Sequence, residues 1–413
     1  MKRNIKLFLA AMAVVILLVT CSKVDNGEPD LTPKSISLTA VASQAIQSSN
    51  EFGIGLFTKV AETERDNLML SPLSASTALT MLLNGCGGDT YSQLQETLRY
   101  PSGMTTAEIN EAYKSLVDQL LKADPKVKLA LANAIFYRSG FIVKQPFLAT
   151  MSKDYKATVE ALNFASPAAL NTINKWAGDN TNGKIPKVLD EIDANAVMFI
   201  MNALYFKGSW SYRFDKTGTM DRLFYPDGGS AVYVSTMKGE VGAKVVSGND
   251  YRAVEMPYGR SNFTMVVIVP TATLAEFNST FTNLVWNSIT GAFDNTDEFE
   301  KLFVYMPKFK FSYEKYLNDQ LKSMGMVDAF LAEKADLSGI SDQGIFVDFV
   351  KQNTFVEVDE EGTEAAAVTT IGIRDSFNPE PREFIVDKSF IFAIRERTTN
   401  TLLFIGQVVK PEV

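Results

Sequence analysis

Residues 354–370, TFVEVDEEGTEAAAVTT, constrain the fold more than any other stretch of the chain. Thr354-Phe355-Val356-Glu357-Val358 alternates β-formers with other residues, which specifies a strand. The acidic Asp359-Glu360-Glu361 and Gly362 follow, and then Thr363 to Thr370 carries unusually small side chains. A strand, an acidic turn and the start of an Ala-rich helix would account for Ala365–Ala367. That arrangement leaves Gly362 and the later Val-Thr-Thr-Ile without a reason. A segment that is mobile in one state and a strand in another needs this composition. It wants a glycine pivot, side chains small enough to fit between packed strands, and no proline before Pro379.

With 413 residues the chain is long for one domain, yet no linker interrupts it after residue 40 and no internal repeat is visible. Its 46% apolar content is ample for one large core. Residues 1–20 have a basic start (Lys2, Arg3, Lys6) and an apolar run from Leu7 to Val19, too short for a membrane span and suited to a secretory signal. Leu18-Val19-Thr20-Cys21 looks like a bacterial lipobox, although Thr20 stands where a smaller residue is usual. Cys21 is then the lipidated N-terminus, and residues 21–40 are a flexible tether before a single domain over 41–413. Without a functional lipobox, residues 1–20 are a plain secretion signal.

Loss of residues 1–20 would take the formal charge from −8 to −11, and no basic run exists, so nucleic acid and anionic membrane surfaces are poor partners. With Cys21 lipidated, Cys86 is left alone and no intrachain disulfide is possible. The chain has no histidine. That excludes Ser-His-Asp and Cys-His catalysis and removes the commonest metal ligand. Gly85-Cys86-Gly87-Gly88 lacks the Lys-Ser/Thr of a phosphate loop. No cofactor, metal or catalytic residue set is expected, and an enzyme has little to stand on.

Helical spacing of Ala45, Phe52, Leu56, Phe57 and Val60 predicts a helix within 41–61. Asn67–Leu70 reads as a short buried strand entering a second helix capped by Ser71, and residues 75–84 are apolar nearly all round, as in a central helix. Buried strands are expected at 129–137, 197–210, 263–270, 305–311, 390–394 and 402–411, with an amphipathic stretch at 316–330.

Glu360-Glu361-Gly362-Thr363-Glu364-Ala365-Ala366-Ala367 resembles the hinge of the reactive-centre loop of inhibitory serpins. Residues 197–210 (VMFIMNALYFKGSW), the phrase Ala335-Asp336-Leu337-Ser338-Gly339-Ile340, and the closing Leu403-Phe404-Ile405-Gly406-Gln407-Val408 are similar to family segments in the family's order. The resemblance covers residues 41–413. It implies an α+β fold: a large central β-sheet, two smaller sheets, about nine helices and an exposed reactive-centre loop over about 360–383.

It also implies suicide inhibition of serine endopeptidases, sometimes of cysteine proteases, through a covalent acyl complex formed by a monomer. A non-inhibitory serpin, a binding or structural protein, is the alternative. On insertion Thr363, Ala365, Ala367 and Thr369 would face inward, and Glu364, Ala366, Val368 and Thr370 outward, so the one charge stays outside. Thr363 is expected at the exposed mouth of the loop before cleavage. The family's shutter maps to Ser71, Ser74 and Asn202, with Gln352 where a histidine is usual. Its breach maps to Lys207 and Gly208 as a turn, with Trp210 packed near the sheet top. Spacing from the hinge puts the reactive bond at Ser376-Phe377, with Phe377-Asn378 and Arg374-Asp375 as alternatives. These suit elastase- or subtilisin-like, chymotrypsin-like and trypsin-like enzymes in turn. The lipid would place the protein in a bacterial cell envelope, at the outer membrane or cell surface; with a plain signal it is secreted.

Cys21→Ser should therefore move the mature protein from the membrane fraction to the soluble one. Unchanged membrane association of that variant would contradict lipidation at Cys21.

Overall fold

The computed structural model describes residues 29–296, 299–363 and 382–412. Among them are nine α-helices and two hydrogen-bonded sheets. The first has six strands in the order Phe309–Tyr316, Lys351–Asp359, Gly362–Thr363, Met198–Ser209, Val127–Arg138 and Thr158–Leu162. Its two halves are continuous ladders. Met198–Ser209 runs antiparallel to Val127–Arg138 from Val127 opposite Gly208 to Tyr137 opposite Met198. Lys351–Asp359 runs antiparallel to Phe309–Tyr316 from Phe309 opposite Val358 to Tyr316 opposite Lys351. Among the described residues, only the two-residue strand Gly362–Thr363 pairs with both halves.

The two smaller sheets expected from the sequence are continuous here. The strand Val232–Ser247 is long enough to pair with Met220–Phe224 at its start, Glu300–Pro307 in its middle and Tyr251–Tyr258 at its end. The resulting nine-stranded sheet packs against the six-stranded one through Phe309, which meets Phe390 and Phe392 at 5.7 and 5.2 Å between ring centroids. Strands buried on both faces read as unbroken apolar runs. Phe263–Pro270, Phe390–Glu396 and Thr401–Val408 are buried at every position. The helices Ala40–Ala61 and Pro72–Leu83 close the other side, and eleven of the twelve residues of the latter are buried.

Three local expectations are corrected. The stretch 305–311 is two strands in different sheets, because the chain leaves one ladder at Pro307 and enters the other at Phe309. The amphipathic stretch 316–330 holds only the helix Asn318–Ser323 and a 3-10 turn at Asp328–Phe330, since Gly325 takes φ +116° and ends the helix. The tether expected over 21–40 is shorter than that, because residues 30–38 are bound to the body. Lys34 and Asn262 exchange two hydrogen bonds of 2.8 Å, Ser37 and Gln119 two of 2.9 Å, and Ile36 and Leu38 pack on the core.

Arg395 interrupts the apolar pattern of its strand and is fully buried. Its guanidinium holds Glu255 at 2.8 Å and Asp294 at 2.7 Å, and donates to Asn400 at 3.1 Å. Arg395→Met should lower unfolding stability by roughly 3–5 kcal/mol in chemical denaturation, because it leaves the buried Glu255 carboxylate without its cation, with only the Thr264 hydroxyl still donating to it. Adding Glu255→Gln should recover part of that loss, and a neutral single substitution would contradict the assignment.

Candidate functional site

The strand Lys351–Asp359 ends in a tight turn built by its last side chain. Asp359 Oδ1 accepts the backbone N–H groups of Glu361 at 2.9 Å and Gly362 at 3.2 Å. Gly362 has φ +147°, and a Cβ there would lie 2.1 Å from the Gly208 carbonyl oxygen. Only glycine fits both the conformation and the approach. The chain is thereby returned between the two halves of the sheet, with Gly362 opposite Ser209 and Thr363 opposite Gly208 on one side, and Gly362 opposite Asp359 and Thr363 opposite Val358 on the other.

Thr363 is therefore buried rather than exposed at the mouth of a loop, which corrects the sequence expectation. Its hydroxyl shares a 2.7 Å hydrogen bond with the Tyr258 hydroxyl. The Tyr258 ring stacks on Trp210 with centroids 4.4 Å apart and planes 11° apart, and burial pushes its phenol far above the ordinary range. Trp210 in turn donates from Nε1 to the Asp359 carbonyl at 2.9 Å and from its backbone to the Glu361 carbonyl at 2.9 Å. Lys207 and Gly208 lie inside the strand Met198–Ser209 and do not form the expected turn. Glycine is needed at 208 because a Cβ would press within 2.9 Å of the Phe206 and Tyr258 rings.

Two buried carboxylates flank this pivot. Glu360 accepts from Thr219 Oγ1 at 2.7 Å and pairs with Lys308 at 3.1 Å, and its carbonyl accepts the Phe214 N–H at 3.0 Å. Burial pushes the Glu360 carboxyl up, yet Thr219 and Lys308 together hold it below its ordinary value. Glu361 pairs with Lys216 at 2.6 Å. Asp359 is raised by burial and by its two acidic neighbours. The turn is thus clamped from three sides before the chain leaves the described residues.

Directly below Thr363 the two half-sheets enclose a cavity of about 20 Å³ lined by Leu204, Phe206, Phe355, Val356 and Ile185. Its front is crossed by the segment following the helix Pro167–Asn180. There Lys184 meets Glu357 at 3.1 Å, and farther along Val188 accepts from the buried Lys351 ammonium at 3.1 Å.

Deeper in the sheet, Gln352 makes a paired contact with one backbone unit. Its Oε1 accepts the Ser71 N–H and its Nε2 donates to the Ser71 carbonyl, both at 3.0 Å. Ser71 Oγ caps the helix by accepting from Ser74 N and donates to the Leu403 carbonyl at 2.8 Å. The structure brings Ser71, Ser74 and Gln352 together but not Asn202. That side chain donates to Asn133 on the adjacent strand at 2.7 Å, and its own Oδ1 has no partner. A glutamine reaches Ser71 with both ends of its amide, so the contact carries no titrating group.

Cys21, Glu364, Ala365, Ala366, Ala367, Arg374, Asp375, Ser376, Phe377 and Asn378 lie outside the described residues. Sequence reasoning missed Tyr258, Lys308, Lys216 and Thr219. Each contacts a partner at least fifty residues away, and no local pattern marks it. Among the described residues no group of His, Cys, Asp and Glu is arranged to hold a metal. What the described residues offer is a two-residue strand, hydrogen-bonded on both sides, that begins a new strand between the two ladders.

Tyr258→Phe should leave the Thr363 hydroxyl without its partner, loosen the pivot by about 1–2 kcal/mol and shift Trp210 emission to the red. Emission from the wild type should stay flat from about pH 5 to 8, where a histidine would have titrated. The Glu360 contribution is complete above its unfolded value of 4.5 and is lost as pH falls through the lower folded value. A transition near neutral pH would contradict this account.

The model of the family Serpin (serine protease inhibitor) matches residues 47–411. An uncharacterized serpin-like protein of Methanosarcina mazei is 30% identical, with 99% of this chain and 98% of that protein aligned. The leukocyte elastase inhibitor of Xenopus laevis is 32% identical over 87% of this chain and 97% of its own. The crystal structure of the thermophilic serpin tengpin in its native state superposes with a TM-score of 0.81 at 29% identity, covering 91% of this chain and 97% of that one.

Proposed function

The chain belongs to the serpin family, whose members are generally protease inhibitors, and from that membership we propose that it is a suicide inhibitor of serine endopeptidases. The observation that carries the reading is the seated hinge. Gly362 and Thr363 already occupy the first two positions of a strand antiparallel to both neighbours, with Thr363 facing in. Were the strand continued, the residues that follow, Glu364-Ala365-Ala366-Ala367, would keep the only charge on the outward face of that register.

The protease serine attacks the carbonyl of Ser376, or of Phe377 or Arg374 if a neighbouring bond is used. The acyl-enzyme forms and the new amino terminus at the following residue leaves. Residues 364–376 are then free at one end and continue the strand that Thr363 begins. Thirteen residues gain ladder hydrogen bonds, at about 1 kcal/mol each, so insertion releases on the order of 10 kcal/mol or more. The native sheet is held short of that state by a kinetic barrier. Insertion carries the acylated protease away from its docking position and deforms its active site before water can complete hydrolysis. A Cys21 lipid is proposed to hold the protein in a bacterial envelope.

Mixing the chain with elastase, subtilisin, chymotrypsin and trypsin in turn should give an SDS-stable covalent band with at least one of them. The released fragment should start at Phe377, or at Asn378 or Asp375 for the alternative bonds. Thr363→Arg disturbs the native pivot as well as insertion, so Ala367→Arg is the cleaner variant. It should be cut at the same bond as the wild type yet form no complex, while Glu364→Arg keeps most inhibition. If every protease cleaves the wild type without a covalent band, the chain is a non-inhibitory serpin.

A further inference from the structure

The N-terminal segment is docked at one end of the molecule, and that end is the hinge end. Asp30 pairs with Arg260 at 2.6 Å, the Leu31 carbonyl accepts from Ser261 Oγ at 2.5 Å, and Lys34 exchanges two backbone hydrogen bonds with the Asn262 amide. Lys34 Nζ also reaches the Lys122 carbonyl at 3.1 Å. Ser261 and Asn262 are fully buried, and Asn262 is bonded in turn to Glu396 at 3.1 Å. The dock is therefore a built part of the fold rather than a surface contact.

The turn that receives this segment is fixed to the end of the strand that flanks the hinge. Gly259 N–H donates to the Ser209 carbonyl at 3.0 Å, Ser211 Oγ donates to the Gly259 carbonyl at 3.0 Å, and Ser211 N–H donates to the Pro257 carbonyl at 2.9 Å. Ser209 is the residue opposite Gly362. Tyr258, one residue before the turn, holds Thr363. The first described residues, Pro29 to Leu31, thus lie beside the entrance of the sheet.

The ten residues from Cys21 to Leu31 span at most about 35 Å. A compact domain of this size is about 55 Å across. The connection is shorter than the body it would hold. We infer that a lipid on Cys21 would orient this protein, with the hinge end turned to the membrane and held within about 35 Å of it. The opposite end of the sheet, where the Lys351–Asp359 strand begins, lies about 26 Å farther along that strand. The partner such an arrangement fits is a protease that works close to the lipid surface. This inference rests on the proposed lipidation of Cys21 and adds a direction to it.

The exported full-length protein, carrying a fluorescent amino acid at position 126 or at position 346, would be bound to phosphatidylethanolamine–phosphatidylglycerol vesicles containing a rhodamine-labelled acceptor lipid. Lys126 is exposed and adjoins Val127, which pairs with Gly208 at the hinge end. Phe346 is also exposed and precedes the far end of the Lys351–Asp359 strand. Energy transfer should be several-fold stronger from 126 than from 346. A Gly/Ser insertion of about thirty residues after Lys23, long enough to let the body turn over, should abolish the difference. Equal transfer from the two positions in vesicle-bound protein, or stronger transfer from 346, would overturn the orientation while leaving the anchor intact. Failure of the protein to bind vesicles at all would remove the anchor, and the orientation with it.

Discussion

The structure turns on two residues. Gly362 and Thr363 are the only described part of the chain that joins the half-sheet ending in Met198–Ser209 to the half-sheet beginning with Lys351–Asp359. A sheet ordinarily gains from closing every ladder, because unpaired backbone groups are costly once water is excluded. Here closure is begun at one end and taken no further by any described residue, and the side chains around that end hold the beginning in place. Tyr258, Trp210, Glu360 and Lys308 fix where a strand would start.

In the proposed mechanism the same features would set the barrier to insertion. The segment after the covering helix crosses the gap and is bound to the far half-sheet by Lys184 with Glu357 and by Lys351 with the Val188 carbonyl. Burial pushes the Glu357 carboxyl up, but Lys310 and Lys184 hold it below its ordinary value, so it stays ionised as the anchor of both. Widening the gap must disturb these contacts and the paired Gln352–Ser71 contact behind the sheet. None of them contains a histidine, so the proposed barrier would have no built-in response to pH near neutrality.

Much of this was legible in the sequence, for reasons that differ by residue. The strand at 354–358 declares itself by alternation, and the helix after Ser71 by its cap and its apolar faces, because both signals are local. Fully buried strands such as Phe263–Pro270, apolar at every position but Thr264, stand out as nearly continuous apolar runs. Where the reading failed, the deciding contact lay far away in the chain. Gly208 looked like a turn residue, yet its role is to admit two aromatic rings to the strand. Thr363 looked exposed because nothing near it in sequence announces Tyr258. Residues 30–34 looked like a tether because polar composition cannot reveal that Asn262 and Ser261 wait to bind their backbone. Family position groups Asn202 with Gln352, but the two lie on different ladders and Asn202 donates to Asn133 instead.

If the strand that Gly362 and Thr363 begin is completed only after cleavage, the thermal stability of the chain before and after a single cut shows it most directly. Limited cleavage between residues 374 and 378 by a metalloprotease, which forms no acyl-enzyme and is then removed, followed by calorimetry of the intact and nicked proteins, compares the two states with no protease bound. Completion of the strand should raise the melting temperature by roughly 10 °C or more. A nicked chain that melts at or below the temperature of the intact one would show that the segment does not enter the sheet.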